Sequence, residues 1–454
     1  VVVVICIFYL VPQYQGAGLA LKTTLGLPVW LGPVAVGGIV VINVVGGGMR
    51  SITFVQAFQY WLKLTAIAVP ALALLVLFTG GGTNLGGPLP PTVQHQTTVT
   101  VETDVVVQVA EPAGITVTGD VDGFRMTDTP FASPGRYTLT HGTTLKLAAG
   151  SATPVVAGAP SSGDEWLASG RGLGGNHPLY QVISIIIATF LGTMGLPHVL
   201  VRFYTNPDGT AARRTALAVI ALLSLFYLFP TLLGVFARQF VPQLLITGTA
   251  DAAVLLLPGA AIGGGVGAVL AALVAAGAIA AFLATSSGLL VSIAGALSTD
   301  VLGGRVRDFR VAAIVGGMVP IPLALLASSL ELSRSVGLVF AVAASTLCPL
   351  LVLGIWWRGL TSVGAACGLV VGGLASGAAT TLAVAGGIDD TLLGGWPAAV
   401  VGYPAAFTVP LAFIVMVVVS LFTASSRPPD VARTFARMHV PERLGLGVER
   451  LPHE

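Results

Sequence analysis

Ten stretches of about 20 apolar residues, the length that crosses a bilayer core, run through the sequence at 1–20, 28–47, 58–79, 180–201, 214–237, 263–297, 311–329, 336–356, 362–385 and 397–422. The sixth exceeds the minimum, so it is expected to tilt or to run past the hydrocarbon. Only 9% of the residues are charged, against roughly 25% in soluble domains. Too few charges remain to cover a soluble surface, so the chain reads as an all-α polytopic membrane protein and not as a soluble enzyme. A net charge of +2 points to neither a nucleic acid nor an acidic partner. Cys6, Cys348 and Cys367 lie far apart in apolar runs and read as small packing residues. The chain starts inside an apolar run, at Val1, and its first methionine is Met49. The expectation is therefore that a true N-terminus precedes it.

Lys and Arg set the orientation. With residue 1 on the cytoplasmic side, that side receives Arg50, Lys63, Arg202, Arg213, Arg214, Arg305, Arg307, Arg310, Arg358 and the tail arginines 427, 433, 437, 443 and 450. The short outer loops hold Lys22, Arg238 and Arg334, so the count is 14 against 3. The tail, 423–454, is then cytoplasmic.

Residues 80–179 differ in kind. Val99, Val101, Val105, Val107 and Val109 alternate, Ile115–Val117 and Tyr137–Leu145 look similar, and Asp122-Gly123 is a turn signal. This is expected to be a small β-rich extracytoplasmic insert, either a partner-binding element or a decoration of a long loop. The remaining divisions are 1–79 and 180–422, both transmembrane. Gly364, Gly368 and Gly372, and Gly373 with Gly377, recur every four residues, a spacing that lets membrane helices pack closely.

No Asp or Glu falls inside any span, and Lys63 lies near a span end where it can snorkel. A cation inside such a bundle must find neutral oxygens. The sixth span supplies Thr285, Ser286 and Ser287 in a row, although each hydroxyl can instead bond a carbonyl four residues back. The fourth span is interrupted at 192–197, Gly-Thr-Met-Gly-Leu-Pro. Such a break frees backbone groups near the midplane and aims a helix N-terminus at an anion. A plain packing kink explains it equally well. His198 and Arg202 form an i, i+4 basic pair, a gate or a snorkelling cluster.

The segment 195–205, Gly-Leu-Pro-His-Val-Leu-Val-Arg-Phe-Tyr-Thr, resembles a motif of the sodium:solute symporter family, in its cation/acetate symporter branch. Residues 47–56 (GGMRSITFVQ), 340–345 (FAVAAS) and 13–18 (QYQGAG) are similar to further segments of that family. The likeness spans the chain outside 80–179. It implies a LeuT-type inverted-repeat bundle lacking its first helices. The first eight spans would be core helices three to ten, followed by two peripheral ones. It also implies a co-transported sodium ion, held from the sixth span by Ala281, Ala284 and Thr285, or by Ser286 after a one-residue slip. A small anionic solute, acetate first, would meet Gln13, Thr189, Thr193, Met194 and Gly195. The partners expected are that solute and the lipid bilayer of a bacterial plasma membrane. Pyruvate, propionate or an amino acid remain alternatives, as does a transporter-like sensor.

Overall fold

Apolar runs in lipid must satisfy their own backbone groups, which leaves helices as the dominant element here. The computed structural model describes residues 1–80, 87, 89–101, 104–157, 159, 162, 164–165, 177–200, 206, 208–247, 250–328, 331–384, 395–427 and 429–439. The helices are α1 (Val2–Leu25), α2 (Leu31–Gly80), α3 (Pro178–Met194), α4 (Pro197–Leu200), α5 (Gly209–Phe240), α6 (Leu244–Thr247), α7 (Ala253–Ile262) and α8 (Gly264–Asp300). They continue with α9 (Val306–Met318), α10 (Pro320–Leu326), α11 (Leu332–Trp356), α12 (Ser362–Val384), α13 (Trp396–Gly402), α14 (Ala405–Phe422) and α15 (Val431–His439).

Among the described residues, eight helical segments are long and apolar enough to cross a membrane, so the chain is a polytopic membrane protein. One of the ten expected spans is shorter: the fourth falls on Pro178–Met194, 17 residues, against the roughly 20 that cross a bilayer core. The last expected span is divided between α13 and α14 at Tyr403-Pro404. The second and third expected spans lie in one helix, α2, of 50 residues. Glycine costs a helix only about 1 kcal/mol relative to alanine, so the glycines at 46–48 do not suffice to end it. The side chains of 47–53 lie outside the described residues, as do residues 201–205 of the second motif.

The chain divides into two compact units. One comprises 1–9, 175–204 and 333–454. In it α12 packs antiparallel on α14 through the glycine stripe. A Cβ built on Gly364 would collide with Ser420 Oγ, one on Gly368 with Met416 Cγ, and one on Gly372 with Ala412 Cβ of α14 as well as with the Ser345 carbonyl of α11. Gly377 has open space around it, so the second glycine pair does not extend this contact. At the C-terminal side of α11, Arg358 lies over the Phe435 ring at 5.7 Å. His439 meets Trp356 with ring centroids 5.4 Å apart, which docks α15.

The other unit comprises 10–174 and 205–332. It contains the β-rich insert: β1 (Thr97–Thr100), β2 (Val105–Val109), β3 (Ile115–Val121), β4 (Phe124–Pro130), β5 (Gly135–Leu139), β6 (Thr144–Leu147) and β7 (Val155–Val156). The strand order is β1-β6-β3-β5-β2-β7, with β4 paired to β3. All these pairings are antiparallel. The alternating valines point inward: Val99, Val101, Val107, Val109, Val117 and Val121 are buried in one apolar cluster. The β3–β4 hairpin turns on Asp122 (φ 52°) and Gly123 (φ 82°), the pair of positive φ angles a two-residue hairpin loop needs. The run expected as one strand, 137–145, is two, because the chain turns at Gly142 (φ 84°). Ile246 of α6, outside the insert in sequence, is 1% exposed and belongs to the insert's core.

Candidate functional site

The expected cation ligands share one turn and a half of α8, a helix held by close approaches on two sides. A Cβ on Gly277 would collide with Ala66 of α2. Gly16 of α1 likewise sits directly against the Phe282 ring. These two glycines let α1 and α2 reach α8 where its hydroxyls are. Gln56 of α2 donates from Nε2 to the Ala284 carbonyl at 2.8 Å. Tyr14 donates to the Gly317 carbonyl at 3.2 Å, and Gln15 Nε2 donates to the carbonyl of Ala327. The QYQ segment of α1 is thereby tied to α9 and the end of α10, with Gln13 buried beside it.

The three consecutive hydroxyls differ. Ser287 Oγ donates back to the Leu283 carbonyl at 2.8 Å, the ordinary fate of a serine in a membrane helix. Ser286 is 0% exposed, and its Oγ has no hydrogen-bond partner among the described residues. A buried hydroxyl without a partner forfeits its solvation, so this oxygen fits a ligand position. Thr285 is half-buried and Ala284 is buried. Ala281 and Phe282 border a cavity of about 250 Å³. Lys63 and Asp251 line the same cavity. The backbone of Lys63 is held against α8, with its Cα 3.7 Å from a Cβ built on Gly277.

The expected break in the fourth span is present within 192–197. Thr193 and Met194 are still helical, ending α3. Gly195 and Leu196 are the non-helical residues, and Pro197 opens α4. Thr189 Oγ1 donates to the Ile185 carbonyl at 2.8 Å, and Thr193 Oγ1 donates to the Thr189 carbonyl at 2.6 Å. Gly192 and Gly195 pack on α11: Cβ atoms there would come within 2.5 Å of the Phe340 carbonyl and 2.7 Å of the Ala343 carbonyl. Close helix packing therefore accounts for both glycines. Thr193 and Met194 are exposed, while Gly195, Leu196 and Pro197 are buried. Thr189, Thr193, Met194 and Gly195 belong to the first unit described, and Gln13 to the second. His198 sits beside Tyr9, with ring centroids 5.6 Å apart, and Arg202 lies outside the described residues.

Residues 160–372 match the sodium:solute symporter family. The chain is also 28% identical over 467 aligned residues to a monocarboxylic acid transporter of Corynebacterium glutamicum, covering 98% of this chain and 73% of that protein. An uncharacterized symporter of Bacillus subtilis, YwcA, is 26% identical, covering 99% of this chain and 76% of that protein. The chain is a transporter, similar over residues 160–372 to the sodium:solute symporter family. A transporter of this kind has no need of a catalytic constellation. The resemblance puts Thr285 ahead of Ser286, and nothing local in the sequence distinguishes the two hydroxyls.

Proposed function

We propose that this symporter imports a small monocarboxylate, acetate first, together with sodium across a bacterial plasma membrane. The observation that carries the solute class is the relative named a monocarboxylic acid transporter, which aligns with 98% of the chain. Support for sodium comes from the partnerless buried hydroxyl of Ser286. Thr285 and the carbonyls of Ala281 and Ala284 lie within the same stretch of helix. Neutral oxygens suit a hard monovalent cation. Each cargo must then favour binding of the other by the same factor, since coupling is reciprocal.

For the solute, the residues proposed are those at the end of α3, where Thr193 and Met194 are exposed, with Thr189 and Gly195 around them. The C-terminus is proposed to be cytoplasmic. Arg50 and Lys63 lie within α2 and Lys22 precedes it, so the orientation rests on the twelve remaining cytoplasmic residues of the fourteen, against Arg238 and Arg334 outside. The number of times α2 crosses affects only the side of the segments before residue 80.

Uptake of labelled acetate into proteoliposomes, with pyruvate as competitor and either a sodium or a proton gradient imposed, tests this reading. Sodium-driven uptake that pyruvate inhibits is expected. Uptake that follows the proton gradient alone would remove sodium. Indifference to every monocarboxylate would remove the solute class.

A further inference from the structure

We propose that α15 is a membrane-surface helix, seated in the headgroup layer at the ends of α11 and α14 and held there by anionic phospholipid. This goes beyond the transport reading and is independent of which solute is carried.

The candidate spans α11 and α14 end in aromatic residues, Trp356 and Phe422. The two ends lie together: the Thr361 N–H donates to Ser420 Oγ at 3.2 Å, and Thr361 Oγ1 is 2.7 Å from Thr423 Oγ1. Trp356 is 74% exposed and Phe422 86%. Exposed aromatic rings at span ends suit the boundary between acyl chains and headgroups. A stack of four side chains docks α15 at this level. Arg358 stands over the Phe435 ring, His439 stacks on that ring with centroids 5.5 Å apart, and His439 in turn meets Trp356.

That docking leaves part of the helix's apolar side uncovered. Val431, Phe435 and Met438 share one side of α15 by the helical period. The first two are half-buried, whereas Met438 is 50% exposed. Arg433, on the other side of the helix, is exposed. An apolar stripe backed by basic residues is the pattern of a helix that lies in the plane of the interface. The charge selects the lipid. Residues 427–439 contain Arg427, Arg433 and Arg437 against a single acid, Asp430, and Arg358 adds a further positive charge beside them. Basic clusters that directly follow a span are attracted to anionic headgroups. A bilayer surface accounts at once for the open side of α15, for the exposed rings of Trp356 and Phe422, and for the arginines.

The full carrier with a nitroxide on Met438→Cys tests this, with Cys367→Ser removing the half-buried native thiol. It is placed in nanodiscs of phosphatidylcholine, alone or mixed with phosphatidylglycerol, and collisions with a water-soluble nickel chelate report depth. In the mixed discs the label is expected to be shielded at least threefold more than one on Ala436→Cys. High salt, or Arg427→Gln together with Arg433→Gln, should remove most of the difference that phosphatidylglycerol makes. Equal shielding of the 438 label in the two kinds of disc would overturn the anionic-lipid site. A 438 label as open as the 436 label in both would overturn the seat in the headgroup layer. If the labelled variants fail to assemble, trypsin cleavage of the unaltered carrier after Arg433 decides. Cleavage at least threefold slower in the mixed discs is expected, and equal rates would overturn the proposal.

Discussion

Gln56 on α2 donates from its amide Nε2 to the carbonyl oxygen of Ala284 on α8, 2.8 Å away across 228 residues of sequence. One oxygen of the candidate cation turn is thereby pinned to a neighbouring helix. Interhelical hydrogen bonds in membranes contribute about 0.6 kcal/mol on average and up to about 1.7. Gln56→Leu should therefore lower thermal stability in detergent by roughly that much. Loss of the whole fold would show that Gln56 does more than fasten α2 to α8.

Ser286 and Ser287 should separate cleanly. Ser286→Ala removes a hydroxyl that is buried without a partner, so stability should hold or rise slightly. Sodium dependence should weaken several-fold, measured as the concentration for half-maximal uptake. Ser287→Ala removes a hydroxyl bonded to its own helix and should leave sodium dependence near normal. Thr285→Val is expected to behave like Ser286→Ala, and Thr285→Ser to be mild. The reverse pattern at the two serines would move the cation register by one residue.

The glycines of α12 should not be equivalent. A Cβ on Gly372 would strike the backbone carbonyl of Ser345, which cannot rotate away, whereas Gly377 has open space. Gly372→Ala should cost about 1–3 kcal/mol as an overpacked contact. Gly377→Ala should be neutral or slightly stabilising, since alanine is the better helix former. Thermal unfolding of the two variants side by side checks the contrast.

Ile246 links the insert to the helical part of its unit. It is 1% exposed in the core formed by the alternating valines. Ile246→Ala should cost about 2–5 kcal/mol, and limited proteolysis should then cut within 90–157 well before the helices. Proteolysis unchanged from the unaltered protein would mean that the insert's own strands suffice.

What the sequence determined by itself was whatever depends on near neighbours along the chain. The apolar runs had to become helices, because lipid offers their backbone no other partner. The even spacing of Val99, Val107 and Val109 and the Asp122-Gly123 pair had to make hairpins. The Gly195–Pro197 interruption had to end α3, and the four-residue glycine spacing of α12 already marked a packing face. Tertiary structure alone decided which of two adjacent serines keeps a free oxygen, since both have the same local option and only the surrounding helices differ. It alone seated Ile246 among strands about a hundred residues earlier. Those outcomes depend on residues distant in sequence meeting in space, as where Gly277 admits Ala66 and Gly16 admits Phe282, and no period or local motif encodes such a meeting.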